Sequence, residues 1–166
     1  MHKGAAVLAA FIIAFAAAPA AAQSVRLLGD FRDWSAYAAN EAAGPLCFAL
    51  SKPTQVSPVP DGYTEAYLYL TNRPAESVRN EFNLVAGFNF APDQPATVTV
   101  GGQSFELFTE NDAAWLLDPA QGDRLASAIR AGSTLTVDGT TDHGIKVTQV
   151  YSLSGATAAS RAIESC

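Results

Sequence analysis

Few histidines in this sequence could act as a general base. It contains two histidines, His2 and His143, and only His143 lies beyond the first 22 residues. A Ser-His-Asp hydrolase needs its histidine beside the serine, whereas Thr140-Thr141-Asp142-His143-Gly144 is typical of an exposed turn. Nucleophile-elbow, Ser-x-x-Lys and phosphate-loop patterns are missing from the sequence. We therefore expect no enzyme and interpret His143 as a solvated turn residue, a catalytic base being the alternative. His143 is also a candidate contact to a partner.

Carboxylates are numerous enough to leave a glycosidase-like acid–base pair open. Such a pair would lie about 5 to 9.5 Å apart in a deep pocket. However, Asp112, Asp118 and Asp123 flank turns and a helix start, where aspartate commonly accepts hydrogen bonds from backbone N–H groups. The Glu110-Asn111-Asp112 segment lacks the spaced oxygen ligands of a calcium loop. We expect structural roles for these carboxylates, and neither a metal nor a cofactor.

Two arginines form the most polar patch beside an apolar strand. Arg73 lies in Thr71-Asn72-Arg73-Pro74, and Arg79 precedes Asn80 and Glu81. Guanidinium groups bind anions through planar, bidentate hydrogen bonds, so both arginines are candidate contacts to an anion or a partner. The alternative is a turn in which they pair with Glu76 or Glu81. That pairing is favoured, although surface ion pairs add little stability.

The N-terminus has the organisation of a secretory signal peptide. Met1-His2-Lys3-Gly4 carries one firm positive charge, an apolar run covers residues 5–18, and small residues follow Pro19 up to Gln23. The apolar run is short for a membrane-spanning helix, which needs about 20 residues. We predict a signal peptide over 1–22 with cleavage before Gln23, an uncleaved anchor being the alternative. Nothing later in the sequence could span a bilayer, so a periplasmic or secreted location is expected.

Export makes a disulfide between the two cysteines the expected outcome. Cys47 and Cys166 lie 119 positions apart. Oxidising compartments favour bonded cysteines, and in the chain-entropy model closing so long a loop contributes about 5 kcal/mol. Two free thiols or an intermolecular bridge are the alternatives. A zinc site is disfavoured, because only one histidine remains in the mature chain to complete four ligands.

Composition supports a single globular domain. Apolar residues make up 49% of the chain and charged residues 16%, so it can bury enough surface to fold. The formal net charge is −6, and no basic stripe interrupts the acidic balance. Nucleic-acid binding needs clustered lysines and arginines and is therefore excluded.

Period-two patterns predict a series of strands. The best local signal is the pair of alternating runs Thr97–Val100 and Gln103–Phe108, joined by Gly101-Gly102, which predicts a tight hairpin with a type I′ turn. Ala66–Thr71 is apolar on both faces, as expected of a central strand covered on each side. Other strands are predicted at 46–50, 80–90, 113–117, 134–138 and 145–153. The prolines of Lys52–Gly62 predict a segment without regular structure.

Two helices interrupt the strands. Asp118-Pro119 is a typical helix start, and Leu125, Ala128 and Ile129 have helical spacing before Gly132. A second short helix is predicted over Ala156–Glu164. Trp115, in an apolar run, is assigned to the core, while Trp34 is left open. Many short strands with few helices indicate a mainly β fold, an antiparallel β-sandwich with one or two short helices.

Several blocks in order resemble a known family. They are Leu46–Pro53, Thr71–Pro74, Val78–Glu81, Phe105–Thr109, Ala114-Trp115, Ala128–Gly132 and Tyr151–Gly155. Together they resemble the invasion-associated locus B family of exported alphaproteobacterial proteins, named after a member linked to host-cell invasion. The resemblance implies a periplasmic or envelope-associated β-sandwich and carries over no catalytic residue. It divides the chain into a signal peptide 1–22, an N-terminal segment 23–45 and a family-like domain 46–166.

Two functional hypotheses follow. The first is a non-enzymatic binding protein that contacts an envelope or host protein or glycan, with the loops 52–62 and 138–146 as its natural contact surface. The second is a periplasmic hydrolase or lyase acting on envelope glycan, which requires the deep two-carboxylate pocket.

Overall fold

The computed structural model describes residues 24–166, which form eleven β-strands and two α-helices. The predicted signal peptide lies outside the described residues. The strands are β1 Arg26–Phe31, β2 Trp34–Glu41, β3 Gly44–Ser51, β4 Gln55–Ser57, β5 Tyr67–Arg73, β6 Val78–Val85, β7 Ala96–Val100, β8 Gln103–Glu110, β9 Ala113–Leu116, β10 Thr134–Thr140 and β11 Lys146–Ser152. The helices are α1 Gly122–Ala131 and α2 Ala156–Ile163, and short 3₁₀ turns cover Pro74–Glu76 and Pro119–Gln121.

All strands belong to one antiparallel sheet. Its order is β1-β2-β3-β5-β6-β9-β8-β7-β10-β11-β4. Side chains from both ends of this order, such as Leu68 of β5 and Leu135 of β10, belong to the same buried cluster. The sheet therefore folds over so that its two halves enclose one core, which confirms the predicted antiparallel β-sandwich. The segment 23–45 supplies β1, β2 and the start of β3 to this sheet.

Buried and half-buried side chains alternate along the strands, and the buried ones form the core. Leu68 and Leu70 of β5 and Phe82 and Leu84 of β6 are at most 1% exposed, whereas the residues between them are half-buried. The predicted hairpin is present, with Val98 and its neighbours facing inward. Its turn residues Gly101 and Gly102 have φ values of +58° and +74°, the left-handed conformations that a type I′ turn requires.

Strand β2, near one end of the sheet order, lies beside β11, near the other end. The Trp34 indole Nε1–H of β2 donates to the Ser152 carbonyl of β11 at 2.9 Å, and the Asp33 N–H donates to the Ser154 carbonyl at 3.2 Å. Helix α2 packs against β1, β2 and β3, and α1 packs against β6. The predicted helices are therefore both present and cover the ends of the core.

Three expectations from the sequence were wrong. The segment Lys52–Gly62 contains the three-residue strand β4, which pairs with β11 at the sheet edge and fits between Pro53 and Pro58. Strand β5 is covered on one face only, since Tyr67 and Tyr69 are half-buried on the other. Trp115 lies on the outer face of β9 while Trp34 is 1% exposed, so the core tryptophan is Trp34.

Candidate functional site

The predicted disulfide is present. Cys47 of β3 is bonded to Cys166, with the two Cα atoms 5.7 Å apart. A buried hydrogen bond reinforces this attachment, because the Asn72 side-chain amide donates to the Ile163 carbonyl of α2 at 3.0 Å. The same Asn72 accepts from the Asn80 backbone N–H at 2.9 Å. The bond therefore fastens the C-terminus to the half of the sheet that contains β3, β5 and β6.

The two candidate arginines have different surroundings. Arg73 donates two parallel hydrogen bonds to the Glu81 carboxylate, at 2.8 and 3.0 Å, and a third to Glu76 at 3.1 Å. The hydrogen bond to Glu81 raises the pKa of Arg73. Within residues 24–166, Arg79 makes no ion pair, and it is exposed. The pairing interpretation thus holds for Arg73, while a partner contact by Arg79 stays a prediction.

His143 lies in an exposed turn, as the sequence predicted. Its side chain is 86% exposed, and its Nδ1 lies 2.7 Å from the neighbouring Asp142 carboxylate. The turn is closed by the Gly144 N–H, which donates to the Thr141 carbonyl at 2.8 Å. His143 as a contact to a partner remains a prediction.

The two loops expected to form a contact surface do meet. Residues 60–62 of the first loop and 141–143 of the second line a cleft of about 560 Å³ together with Phe88. Gly87 allows the close approach, because a Cβ atom there would lie 2.5 Å from the Thr64 carbonyl oxygen. We call this the loop cleft. It holds one half-buried aromatic ring rather than a contiguous aromatic patch.

Aromatic side chains instead cover the outer face of β2, β3 and β5. Tyr37 stacks on Phe48 with ring centroids 5.3 Å apart, and Phe48 and Tyr67 each lie 6.2 Å from Tyr69. All four rings are half-buried on the side of the sheet opposite the core. Lys52 lies over the Tyr67 ring and pairs with Glu65 at 2.9 Å. We call Tyr37, Phe48, Tyr67 and Tyr69 the aromatic face.

A groove lies farther along the same outer surface. It has a volume of about 550 Å³, and its wall includes Arg79, Asn80, Glu81, Phe108, Glu110 and Trp115. Trp115 stacks on its cross-strand neighbour Phe108, with centroids 5.3 Å apart and an interplanar angle of 18°. We call this the Trp115 groove.

The groove exists because β9 separates from β6. The two strands pair only through Asn83, Leu84 and Val85. Beyond that point the Leu117 N–H donates to the Glu106 carbonyl of β8, which carries the chain away from β6. Asp118 then accepts from the Ala120 N–H and starts the 3₁₀ turn that leads into α1.

Helix α1 closes one end of the groove. The Asn80 side-chain amide donates to the Asp123 carboxylate of its first turn at 2.8 Å. Asp118 and Asp123 are therefore structural, as their positions in the sequence indicated. Sequence reasoning found the polar wall of the groove but missed Trp115 and Phe108. The signal available was that Ala114 and Leu116 flank Trp115 and would face inward together, leaving the indole outside.

Residues 24–166 include no cluster of three or more histidine, cysteine or carboxylate side chains arranged to hold a metal ion. Across the same residues, no helix is both long and apolar enough to cross a membrane.

The fold defines a class of protein, an antiparallel β-sandwich that is also seen in one invasion-associated protein of known structure. The solved structure that establishes this is invasion associated protein B from Bartonella henselae, which matches with a TM-score of 0.58 over 82% of this chain and 95% of that chain. The two sequences are 16% identical, so the likeness is one of fold. No protein-family model and no curated protein sequence matches this chain. The fold implied by the sequence resemblance is thus confirmed.

Proposed function

We propose that this chain is an exported, non-enzymatic binding protein of the invasion-associated locus B family, and that it contacts a macromolecule of the bacterial envelope through its aromatic face. The ordered sequence blocks and the shared fold support family membership. The signal-peptide pattern over 1–22 supports export to the periplasm or beyond.

The observation that carries the proposal is the aromatic face itself. Outward-facing residues of a sandwich need not be apolar to fold, because the inner rows supply the core. Tyrosine and phenylalanine on a sheet surface bring large, rigid contact area with little conformational entropy to lose, and aromatic residues are enriched in binding interfaces. The exposed Lys52–Glu65 pair gives this apolar surface a polar rim, an arrangement typical of interaction sites.

The glycan hydrolase or lyase of the second hypothesis has a specific place to be tested. The Trp115 groove contains the carboxylates Glu81 and Glu110. Both Glu81 oxygens already accept hydrogen bonds from Arg73, at 3.0 and 2.8 Å, so this carboxylate is occupied by a neighbouring side chain. We therefore favour binding without cleavage.

Retention of the purified exported protein on isolated envelope fragments tests the binding function. We expect wild type to co-sediment with the fragments, and the double variant Phe48→Ser/Tyr69→Ser to be retained at least about tenfold less. The matched control is Thr99→Ser/Thr136→Ser, a cross-strand pair on the opposite half of the outer surface, which should be retained like wild type. Thermal unfolding of each variant establishes that it is folded.

Three results would overturn the proposal. Wild type that does not sediment with the fragments removes the binding function. Equal retention of the aromatic double variant removes the aromatic face as the contact. Release of soluble glycan products during incubation, abolished by Glu110→Gln, would establish the enzymatic alternative.

Export has its own measurement. Fractionation of cells that express the full chain should place the protein outside the cytosol. Its measured mass should correspond to a mature chain that begins at Gln23. A full-length mass in the membrane fraction would instead establish an uncleaved anchor.

A further inference from the structure

We propose that the Trp115 groove binds the sugar units of an uncharged glycan chain. This inference rests on the proposed binding function, because it assigns a ligand class to the outer surface that function uses. It concerns a separate part of that surface: Trp115 lies on β9 and the groove wall on β6, whereas the aromatic face lies on β2, β3 and β5.

The indole of Trp115 supplies the apolar part of the site. Phe108 stacks on it at 5.3 Å and is itself 44% exposed, so the indole packs against a neighbouring surface ring and not within the core. One side of a pyranose ring presents C–H groups, which pack well against an aromatic ring. Tryptophan and phenylalanine offer the largest rigid apolar surface for such a contact.

Polar groups of both kinds surround the indole. Arg79 has five N–H donors and no acceptor of its own, and no described residue forms an ion pair with it. Glu110 is an exposed residue whose carboxylate forms no ion pair within residues 24–166. Sugar hydroxyls both donate and accept, so successive units of a glycan chain can satisfy the arginine at one end of the groove and the glutamate at the other. An apolar ligand would desolvate both groups without replacing their hydrogen bonds.

The charge of the groove favours a neutral ligand. Glu81 is paired with Arg73, which leaves Arg79 positive and Glu110 negative. These two charges balance. A polyanion or a polycation would be attracted by the charge at one end of the groove and repelled by the charge at the other, so it would gain little electrostatic energy overall.

The dimensions suit a chain rather than an enclosed small molecule. Arg79 precedes Val85 by six residues on β6, and Val85 and Glu110 both pair with Ala113, so the backbone positions of Arg79 and Glu110 are at most about 20 Å apart along the strands. The volume of about 550 Å³ falls in the usual range for ligand sites. A glycan lying along the groove can leave it at its open end.

The test uses the two indole N–H signals in the NMR spectrum of the ¹⁵N-labelled exported protein. Trp34 and Trp115 are the only tryptophans. Trp34 is 1% exposed and donates to the Ser152 carbonyl, which makes its signal an internal reference. The probes are chitotetraose, cellotetraose and maltotetraose, with N-acetylphenylalaninamide as an apolar control and tetragalacturonate as an anionic control.

We expect at least one neutral tetrasaccharide to move the Trp115 signal saturably while the Trp34 signal stays in place. Arg79→Ala should weaken that binding at least about tenfold. Trp115→Ala should abolish it when binding is followed by calorimetry, whereas Trp115→Phe, which keeps a ring, should retain part of it. Thr136→Ser, on the other half of the outer surface, should bind like wild type.

The inference is overturned if none of the neutral tetrasaccharides moves the Trp115 signal, or if either control ligand binds more tightly than all three. Failure here is distinguishable from failure of the proposed function. Loss of sugar binding with intact, aromatic-face-dependent sedimentation removes only the groove assignment. Sugar binding without any envelope retention removes the proposed contact and leaves the groove assignment standing.

Discussion

The two halves of the sheet share an inner surface but differ on the outside. The first half carries the aromatic face on β2, β3 and β5. The second half, formed by β7, β10 and β11, presents a threonine face whose outward residues are Thr97, Thr99, Thr136 and Thr148, together with Asp138 and Val150. Both halves contribute alternate residues to the same core. The difference therefore concerns only side chains that the core does not need.

The threonine face shows what folding alone requires of an outer surface. Threonine has a high strand propensity and a polar group for water, which suits a half-exposed strand position. Replacing it by tyrosine or phenylalanine adds cross-strand contacts of only about 0.2 to 1 kcal/mol each, and it exposes apolar edges to solvent. The aromatic face is therefore the surface on which the proposed contact with another molecule depends. The following predictions test whether the two halves differ in this way.

The largest effect on stability should come from the disulfide that fastens α2 to the aromatic half. Cys47→Ala/Cys166→Ala should lower the free energy of unfolding by up to about 5 kcal/mol, because the open chain gains the entropy of a 119-residue loop. Thermal unfolding with and without reductant measures the loss. Hydrogen exchange should also rise in α2 and β3 before it rises in β10. Alkylation of both cysteines in native, unreduced protein would contradict the bond.

Substitutions at two neighbouring residues of β5 should distinguish a core position from a position on the proposed contact surface. Leu68 is 0% exposed, so Leu68→Ala should cost about 2 to 5 kcal/mol of stability through lost burial and the cavity left behind. Tyr69→Ser, on the outer side, should cost about 1 kcal/mol or less yet reduce envelope retention. Chemical denaturation and sedimentation of the same two variants measure both quantities. Equal destabilisation by the two changes would make Tyr69 a core residue and remove the contrast.

Local patterns were enough to predict most strands. The hairpin at Gly101-Gly102 and both helices depend on neighbours in sequence, and they are present where the patterns predicted them. The face of a strand that points into the core was harder to predict where both faces are apolar, as in β5. Whether Leu68 or Tyr69 faces inward depends on what packs against the sheet, which period-two spacing does not specify.

The tryptophans show the same limit over a longer range. Trp34 stands among polar residues, and it is buried because β2 curls onto β11, 118 positions away. Trp115 stands in an apolar run, and it faces outward because its neighbours Ala114 and Leu116 face inward. The Trp115 groove also depends on where β9 leaves β6, a long-range pairing that no local motif encodes.

The two faces should respond differently to alkaline pH. Burial raises the pKa of Tyr151, which lies on the inner face of β11 and is 0% exposed. The unfolded chain then loses its phenolic proton near pH 10 while the folded chain keeps it. Stability from this group is complete below pH 10 and falls above it by about 1.4 kcal/mol per pH unit.

Denaturation midpoints between neutral pH and the alkaline range check this expectation. Tyr151→Phe should remove most of the alkaline slope. Tyr69→Phe should remove less, because the pKa of Tyr69 is also raised by burial but its ring lies on the half-exposed outer face. An unchanged slope in Tyr151→Phe would mean that its hydroxyl is accessible to water.

The smallest expected effects distinguish the two arginines of the aromatic half. Arg73→Ala removes three hydrogen bonds to Glu76 and Glu81 on a partly exposed surface, so it should cost about 1 kcal/mol or less. Arg79→Ala removes no ion pair within residues 24–166 and should change stability by less than about 0.5 kcal/mol.

Their effects on binding should have the opposite order. Arg79→Ala should weaken sugar binding in the Trp115 groove, whereas Arg73→Lys, which keeps the positive charge beside Glu81, should leave it unchanged. Denaturant unfolding and sugar titration of both variants, each beside wild type, measure the two effects. If Arg73→Lys weakened sugar binding as much as Arg79→Ala, the groove would depend on the orientation of Glu81 by Arg73. The distinction between a structural and a ligand-contacting arginine would then be wrong.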